Sequence, residues 1–249
     1  MTQAVNDHLV LLCGKSATGK SASLMGLEKP EGVMYLNCEA GKRLPFKAKF
    51  MKGPDGNAGF VITDPLQVYE AFSKAEELEG VHTIVLDSLS FLMEMYESVY
   101  VLNSTNTMKS WGDYAQFFKN LMQQYVAKST KNVIFISHTA DSMNESEMVI
   151  ETKAPVKGSL KGTGIEAYFT VVLASKKVPL KTLKGYASPL LTITPEEEAL
   201  EYKYVFQTKL TKETVNERLR SPLGLFSNQE TFIDNNMQLV LNRLHEYYE

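Results

Sequence analysis

The chain has 249 residues, of which 44% are hydrophobic and 22% charged, as expected of a globular protein with one large or two small domains. Its net charge of −3 excludes a basic surface over the whole molecule, so contact with nucleic acid requires a local patch or an assembly that concentrates basic loops. No apolar run reaches the ~18 residues of a membrane-spanning helix, so no membrane partner is expected.

The N-terminus and the two cysteines bear on the cellular compartment. The first ten residues, MTQAVNDHLV, lack the charged and then apolar segments of a signal peptide. Cys13 and Cys38 both end apolar runs that are typical of buried strands. Without a secretion signal, we expect them to be reduced core thiols rather than a disulfide, in a cytoplasmic protein.

The first predicted strand, residues 9–12, leads into the clearest chemical pattern. From Gly14 the sequence GKSATGKS fits the phosphate-loop pattern of Gly, four residues, Gly, Lys and Ser. In such a loop backbone N–H groups surround an anion, Lys20 reaches the β- and γ-phosphates and the Ser21 hydroxyl binds Mg²⁺. Residues 22–27 are predicted as a helix whose N-terminus faces the phosphates. The predicted nucleotide contacts are Gly14, Lys15, Ser16, Ala17, Thr18, Gly19, Lys20, Ser21 and Ala22.

Strand and helix patterns then alternate as far as residue 138. The pattern predicts strands at 32–38, 81–87 and 131–138, helices at 65–79, 89–100 and 111–128, and a short edge strand at 59–62 within loops that span 40–63. This alternation predicts right-handed crossovers and a mainly parallel sheet, with nucleotide at the carboxyl ends of its strands. Gly14, Glu39, Asp87 and His138 each stand at such an end, so we expect them on one edge of the sheet.

The alternation of strand and helix patterns ends at residue 138. Residues 139–165 contain no predicted element, and a loop this long in a compact domain is usually functional or disordered. A strand is predicted at 167–174, short β runs at 190–194 and 202–210, and a final amphipathic helix at 237–248. We therefore expect an α/β protein of a single domain, with a nucleotide-binding core over 1–175 and a β-rich extension with a C-terminal helix over 176–249.

Three of the strand-end residues are candidates for chemistry on the phosphates. Asp87 follows an apolar strand and is expected to bind Mg²⁺ directly or through water, or else to cap the next helix. Glu39 precedes two small residues and could orient or deprotonate the attacking water, or else be a solvated loop residue. His138 could sense the γ-phosphate, or its side chain could be satisfied by backbone contacts.

The order of these motifs resembles the RecA-like ATPases. That family's catalytic glutamate is matched by residues 37–41 (NCEAG), and its Mg²⁺ aspartate followed by Ser is matched by residues 86–88 (LDS). Its polar residue before a DNA-binding loop is matched by residues 136–139 (ISHT). Within that class the sequence resembles the phage-encoded single-strand annealing (Sak) group, and residues 220–226 (RSPLGLF) are similar to that group's C-terminal part. The resemblance implies a RecA-like P-loop NTPase fold with ATP and Mg²⁺ as cofactors.

The resemblance also implies partners and further site residues. It makes 139–165 a DNA-contacting loop in which Lys153, Lys157 and Lys161 touch phosphates, although that loop has no aromatic residue for base stacking; the alternative is a solvated loop. It implies self-association into a ring or filament, in which a basic residue of one subunit stabilises charge at the γ-phosphate of the next. The candidates for that role, which could instead belong to a solvated charged loop, are Lys209, Lys212, Arg218 and Arg220.

The function predicted from these features is Mg²⁺-dependent ATP hydrolysis coupled to single-stranded DNA in phage recombination or replication, by annealing or strand handling in the host cytoplasm. A single-strand-binding protein is a further candidate partner. One alternative is a small-molecule or nucleotide kinase, which is disfavoured because Arg43 is the only arginine in the first 200 residues, too few for an arginine-rich lid. The other alternative is a nucleotide-gated interaction protein with little turnover. Ser88 and the predicted C-terminal strands disfavour an AAA+ motor.

Overall fold

An eight-stranded sheet forms the centre of the computed structural model, which describes residues 6–145 and 147–248. The sheet strands are β1 Leu9–Gly14, β2 Val33–Asn37, β3 Phe60–Val61, β4 Thr83–Asp87, β5 Asn132–His138, β8 Val171–Pro179, β9 Tyr202–Gln207 and β10 Phe232–Asp234, and a separate hairpin is formed by β6 Ala140–Asn144 and β7 Val149–Lys153. The first five residues, on which the expectation about a signal peptide partly depends, lie outside the described residues.

The strand order, β10-β9-β8-β1-β5-β4-β2-β3, confirms the predicted mainly parallel α/β sheet. All pairings from β8 through β1, β5, β4 and β2 to β3 are parallel. Strands β9 and β10 are antiparallel additions at the other edge. The C-terminal extension therefore continues the sheet of the nucleotide-binding core. Among the described residues, no helix is long and apolar enough to cross a membrane.

Helices cover both faces of this sheet. They are α1 Gln67–Glu77, α2 Leu89–Tyr96, α3 Thr107–Asn120, α4 Leu160–Thr163, α5 Leu180–Leu183, α6 Pro195–Leu200 and α7 Met237–Tyr248. Helix α3 begins four residues before the predicted start because the Asn106 side chain accepts a hydrogen bond from the Lys109 N–H and caps it. A π turn, Leu121–Tyr125, and a 3₁₀ turn, Val126–Lys128, continue α3 to the predicted end.

Alternate side chains of each strand enter two different cores. In β1, Leu11 and Cys13 pack with α1, α2 and α3 on one face, whereas Val10 and Leu12 pack with α7 on the other. Both cysteines are buried free thiols, as predicted. The central strands are therefore covered on both faces, which fixes their register and the positions of their carboxyl ends.

Three predictions of local structure were wrong. The segment after the phosphate loop, Ser21–Gly26, is a short 3₁₀ helix rather than an α-helix; it ends at Gly26, a poor helix former, and Leu27 is extended. Residues 190–194 form no strand; they lie between two prolines, and only single bonds such as the one from the Asp234 N–H to the Leu190 carbonyl tie them to the sheet edge.

The third correction concerns residues 139–165, which contain the β6–β7 hairpin and α4. The hairpin side chains are mostly exposed or half-buried and polar, so the pattern of apolar residues gave no sign of strands. Its register is fixed instead by cross-strand polar contacts, such as the bond from the Thr152 hydroxyl to the Asp141 carboxylate (2.7 Å).

Candidate nucleotide-binding site

The carboxyl ends of β1, β5, β4 and β2 meet at one edge of the sheet and form a cleft of about 460 Å³, a size typical of small-molecule sites. The cleft is lined by Ser16, Ala17, Thr18, Gly19, Lys20, Ser21, Ala22, Tyr35, Glu39, Lys42, Arg43, Leu44, Pro45, Asp87, His138, Tyr204 and Asn235. Three of the four strand-end residues predicted to meet, Glu39, Asp87 and His138, therefore line one cleft, and the fourth, Gly14, is linked to it by the bond from Lys20 to its carbonyl.

The phosphate loop has the conformation of an anion-binding nest. Ala17 (φ 61°) and Gly19 (φ 92°) adopt left-handed conformations, which turn successive backbone N–H groups toward one side. Gly14 is required because a β-carbon there would lie 2.7 Å from the Ser175 carbonyl oxygen. The Lys15 side chain points away from the cleft and forms an ion pair with Asp141 (3.1 Å), so of the predicted contacts it contributes only its backbone.

Lys20 is the cation of this nest. Its ammonium donates to the carbonyls of Gly14 (2.9 Å) and Lys15 (2.8 Å), and only 7% of the residue is exposed. Burial lowers the pKa of Lys20, whereas the nearby Asp87 and Glu39 oppose that change. Since carbonyl oxygens are weaker partners than phosphate oxygens for an ammonium group, the side chain is positioned to exchange them for a phosphate.

Two residues distant in sequence, one at the end of the core and one in the extension, support the loop from behind. The Ser175 hydroxyl at the end of the parallel part of β8 donates to the Thr18 carbonyl (2.6 Å), and the Asn235 amide after β10 donates to the Gly19 carbonyl (2.9 Å). These two bonds fix carbonyls on the outer side of the nest, which leaves the N–H groups facing the cleft. The phosphate loop is thus held by residues more than 150 positions away in sequence.

Asp87 lies opposite the end of the loop. Its Oδ2 accepts hydrogen bonds from the Ser21 hydroxyl (2.7 Å) and the Tyr35 hydroxyl (2.9 Å), so it does not cap the following helix. Only 2% of Asp87 is exposed, and its Oδ1 has no hydrogen-bond partner among the described residues. Burial raises the pKa of Asp87 and Glu39 raises it further, whereas the bonds from Ser21 and Tyr35 oppose the rise.

These donors fit a Mg²⁺ ion that is shared with a nucleotide. Mg²⁺ prefers oxygen ligands and is usually bound through one or two protein groups together with phosphates and water. The Ser21 hydroxyl and the unpartnered Oδ1 of Asp87 are oxygens of this kind. Over residues 6–145 and 147–248, no group of three or more His, Cys, Asp and Glu side chains could hold a metal by itself. Phosphate and water would therefore complete the coordination.

Glu39 and His138 face each other across the end of the cleft. Glu39 Oε1 lies 3.8 Å from His138 Nε2, and Glu39 Oε2 accepts a hydrogen bond from Lys42 (3.1 Å). Only 13% of the Glu39 side chain is exposed, so it is not a fully solvated loop residue. Burial lowers the pKa of His138 and the Lys20 charge lowers it further, which keeps the imidazole neutral near pH 7.

Sequence reasoning missed several cleft residues. Tyr35 lies within β2, where it is indistinguishable from a core aromatic residue. Tyr204 and Asn235 come from the extension, and only the strand order, which places β9 and β10 beside β8, brings them to the cleft. Arg43 lies in a segment without periodicity. None of these residues belongs to a motif that could have revealed it.

The lysines predicted to contact DNA have acidic partners in two of three cases. Lys153 forms an ion pair with Glu151 (3.1 Å) and Lys157 with Glu97 (2.6 Å), whereas Lys161 is exposed. These partners reduce the positive charge that 139–165 offers to a polyanion.

Among the residues that the structure describes, none of the four basic residues predicted to act between subunits lines the cleft. Arg218 forms ion pairs with Glu151 (3.1 Å) and Glu166 (3.6 Å), and Arg220 donates to the Ala167 carbonyl (3.4 Å). Lys209 bonds to the Asn228 side chain (3.0 Å), and Lys212 lies near Glu213 (3.6 Å). Within one chain, all four serve local contacts, so a role at a phosphate requires a second subunit.

Comparison with known proteins identifies the family of most of the chain. The model of the AAA_24 family, described as an AAA domain, matches residues 7–184, which is more than half of the chain. No curated protein sequence matches this chain. Among solved structures, the chain is similar to a KaiC-like protein from the hyperthermophilic archaeon Pyrococcus horikoshii, with a TM-score of 0.42 and 13% identity over 86% of this chain and 83% of that one. The chain belongs to the AAA domain family AAA_24, and it carries a P-loop motif whose candidate nucleotide-binding site lies at the carboxyl edge of a mainly parallel sheet.

Proposed function

We propose that the protein hydrolyses Mg·ATP in this cleft and couples the reaction to the handling of single-stranded DNA in phage recombination or replication, by annealing or a related process. The observation that carries hydrolysis is the shared cleft of Lys20, Asp87 and Glu39, with Glu39 largely shielded from solvent. Phosphoryl transfer needs a cation at the phosphates, a metal partner and a group that orients water, and these residues supply those three requirements.

Each residue has a distinct task in this proposal. Lys20 exchanges its two carbonyl partners for the β- and γ-phosphates of ATP. Ser21 and Asp87 hold Mg²⁺, which when bound neutralises charge on the same phosphates. Glu39 orients the attacking water and accepts its proton, and the neutral His138 beside it is placed to detect the γ-phosphate.

The coupling to DNA, and assembly into a ring or filament, rest on the resemblance to RecA-like ATPases of phages. Assembly would bring Arg218, Arg220 or a neighbouring lysine of one subunit to the phosphate of the next. A kinase is less well supported, because Arg43 is the only arginine among the described residues that line the cleft.

The test is the rate of phosphate release from ATP with and without single-stranded DNA, at low and moderate salt. We expect a several-fold stimulation that fades as salt rises, because contacts with phosphates are weakened by salt. Hydrolysis that is indifferent to DNA would refute the DNA role. Tight binding without turnover would favour a nucleotide-gated interaction protein, and phosphate transfer to an added acceptor would favour a kinase.

A further inference from the structure

A segment beside the nucleotide cleft is strongly basic, and only its first four residues line that cleft. Residues 42–52, KRLPFKAKFMK, contain five basic residues and no acidic one, in a chain whose net charge is −3. All five are exposed, and we refer to them as the basic strip: Lys42, Arg43, Lys47, Lys49 and Lys52.

The backbone of this segment holds the charged groups outward. Leu44, Phe46 and Phe50 point inward and pack with the core beneath. The Met51 N–H donates to the Val33 carbonyl (3.1 Å), which ties the end of the segment to the start of β2. The strip is therefore a surface with fixed charge spacing, in which cations alternate with anchoring apolar side chains.

Most of the strip has no acidic partner. Among the described residues, Arg43, Lys47, Lys49 and Lys52 form no ion pair, and Lys42 alone does so, with Glu39. The nearest acidic side chain along the segment, that of Asp55, bonds to Asn57. Unpaired charges of one sign on neighbouring positions repel one another, and a bound polyanion would relieve that repulsion.

We propose that the basic strip, rather than the lysines of 139–165, is the surface along which single-stranded DNA lies; this inference rests on the DNA role proposed above. A second cavity of about 470 Å³ opens beside the strip, and the half-buried Phe46 and the exposed Asn57 contribute to its lining. Aromatic and amide groups next to a row of cations suit an unpaired base and its phosphates. The strip exposes no large apolar side chain, which distinguishes it from a surface that inserts into lipid.

The strip also connects DNA to the nucleotide. Lys42 and Arg43 line both the nucleotide cleft and the second cavity, and Lys42 holds Glu39 through Oε2. A DNA phosphate that attracts Lys42 releases Glu39 to act on water. Binding at the strip would thus raise the rate of hydrolysis without any movement of the sheet.

Two triple variants of the full chain test this proposal. The strip variant removes three strip charges outside the nucleotide cleft through Lys47→Ala, Lys49→Ala and Lys52→Ala. The control variant is matched in number and removes three other lysines through Lys153→Ala, Lys157→Ala and Lys161→Ala. Binding of fluorescent oligothymidylate is measured by anisotropy over a range of salt concentrations. We expect the strip variant to lower the slope of log affinity against log salt by about 2, because each phosphate contact on a single strand contributes about 0.7.

The control variant should keep the wild-type slope, and both variants should keep wild-type affinity for nucleotide, which verifies folding. A loss confined to the control variant, or equal competition by duplex DNA, would overturn the assignment to the strip while leaving a DNA-binding protein. If the wild type itself fails to bind any oligonucleotide, the proposed function fails, and this inference fails with it.

Discussion

Replacing Ser175 by alanine measures how strongly the C-terminal strands hold the phosphate loop. Ser175 is 1% exposed, and its hydroxyl donates to the Thr18 carbonyl at 2.6 Å. Alanine fits the same space but leaves that carbonyl without its donor, which costs about 1–2 kcal/mol for a buried group. In a protein of this size the melting temperature should fall by about 2–8 °C. If the loop instead relaxes without this bond in the nucleotide-free protein, nucleotide binding must restore the loop conformation. That restoration costs up to the same free energy and weakens binding by about 5–30-fold.

The assay is thermal unfolding of the nucleotide-free protein together with titration of a fluorescent ATP analogue. Ser188→Ala is the matched control, because the Ser188 hydroxyl has no hydrogen-bond partner among the described residues and its loss should lower neither quantity. Unchanged stability and unchanged affinity in Ser175→Ala would refute the support of the phosphate loop by β8.

Three further variants address the charged groups of the cleft. Burial raises the pKa of Asp87 above its ordinary value, so the wild type loses stability as pH rises from about 4 through that raised pKa. Asp87→Asn should therefore melt at a higher temperature than the wild type at pH 7, yet lose Mg²⁺-dependent nucleotide binding. Retained binding would count against a metal role for Asp87. Burial lowers the pKa of His138, so the wild type should lose stability relative to His138→Gln as pH drops from 7 to 5. Thermal unfolding of both proteins over this pH range is the assay, and parallel plots of melting temperature against pH would contradict the prediction. Lys42→Ala frees Glu39 and should raise the DNA-independent ATPase rate and reduce stimulation by DNA; a slower basal rate would instead assign Lys42 to phosphate binding.

The features that the sequence predicted correctly are local in the chain. The phosphate loop is a contiguous motif, and Glu39, Asp87 and His138 each follow an apolar run that the pattern predicts as a buried strand. Because parallel strands run in the same direction, the carboxyl ends that carry these residues lie at the same edge of the sheet. For this reason the mainly parallel sheet and the position of the cleft were predictable.

The features that were missed depend on distant partners. Ser175 and Asn235 reach the phosphate loop only because β8 and β10 belong to the same sheet as β1. The sequence predicted Lys153 and Lys157 as DNA contacts but not their ion pairs with Glu151 and Glu97, which depend on the fold. The β6–β7 hairpin escaped prediction because polar contacts, rather than apolar alternation, define it.

The most direct test of the account is ATP turnover by Glu39→Gln. The amide keeps the size of the side chain but cannot accept a proton from water, and a general base typically contributes about 10²–10⁴-fold to rate. Glu77→Gln is the control, since Glu77 is exposed on α1 and pairs only with Lys74 among the described residues. The account predicts that Glu39→Gln loses turnover by about that factor and keeps wild-type affinity for ATP, while Glu77→Gln changes neither. Wild-type turnover in Glu39→Gln would contradict the proposed chemistry of this cleft.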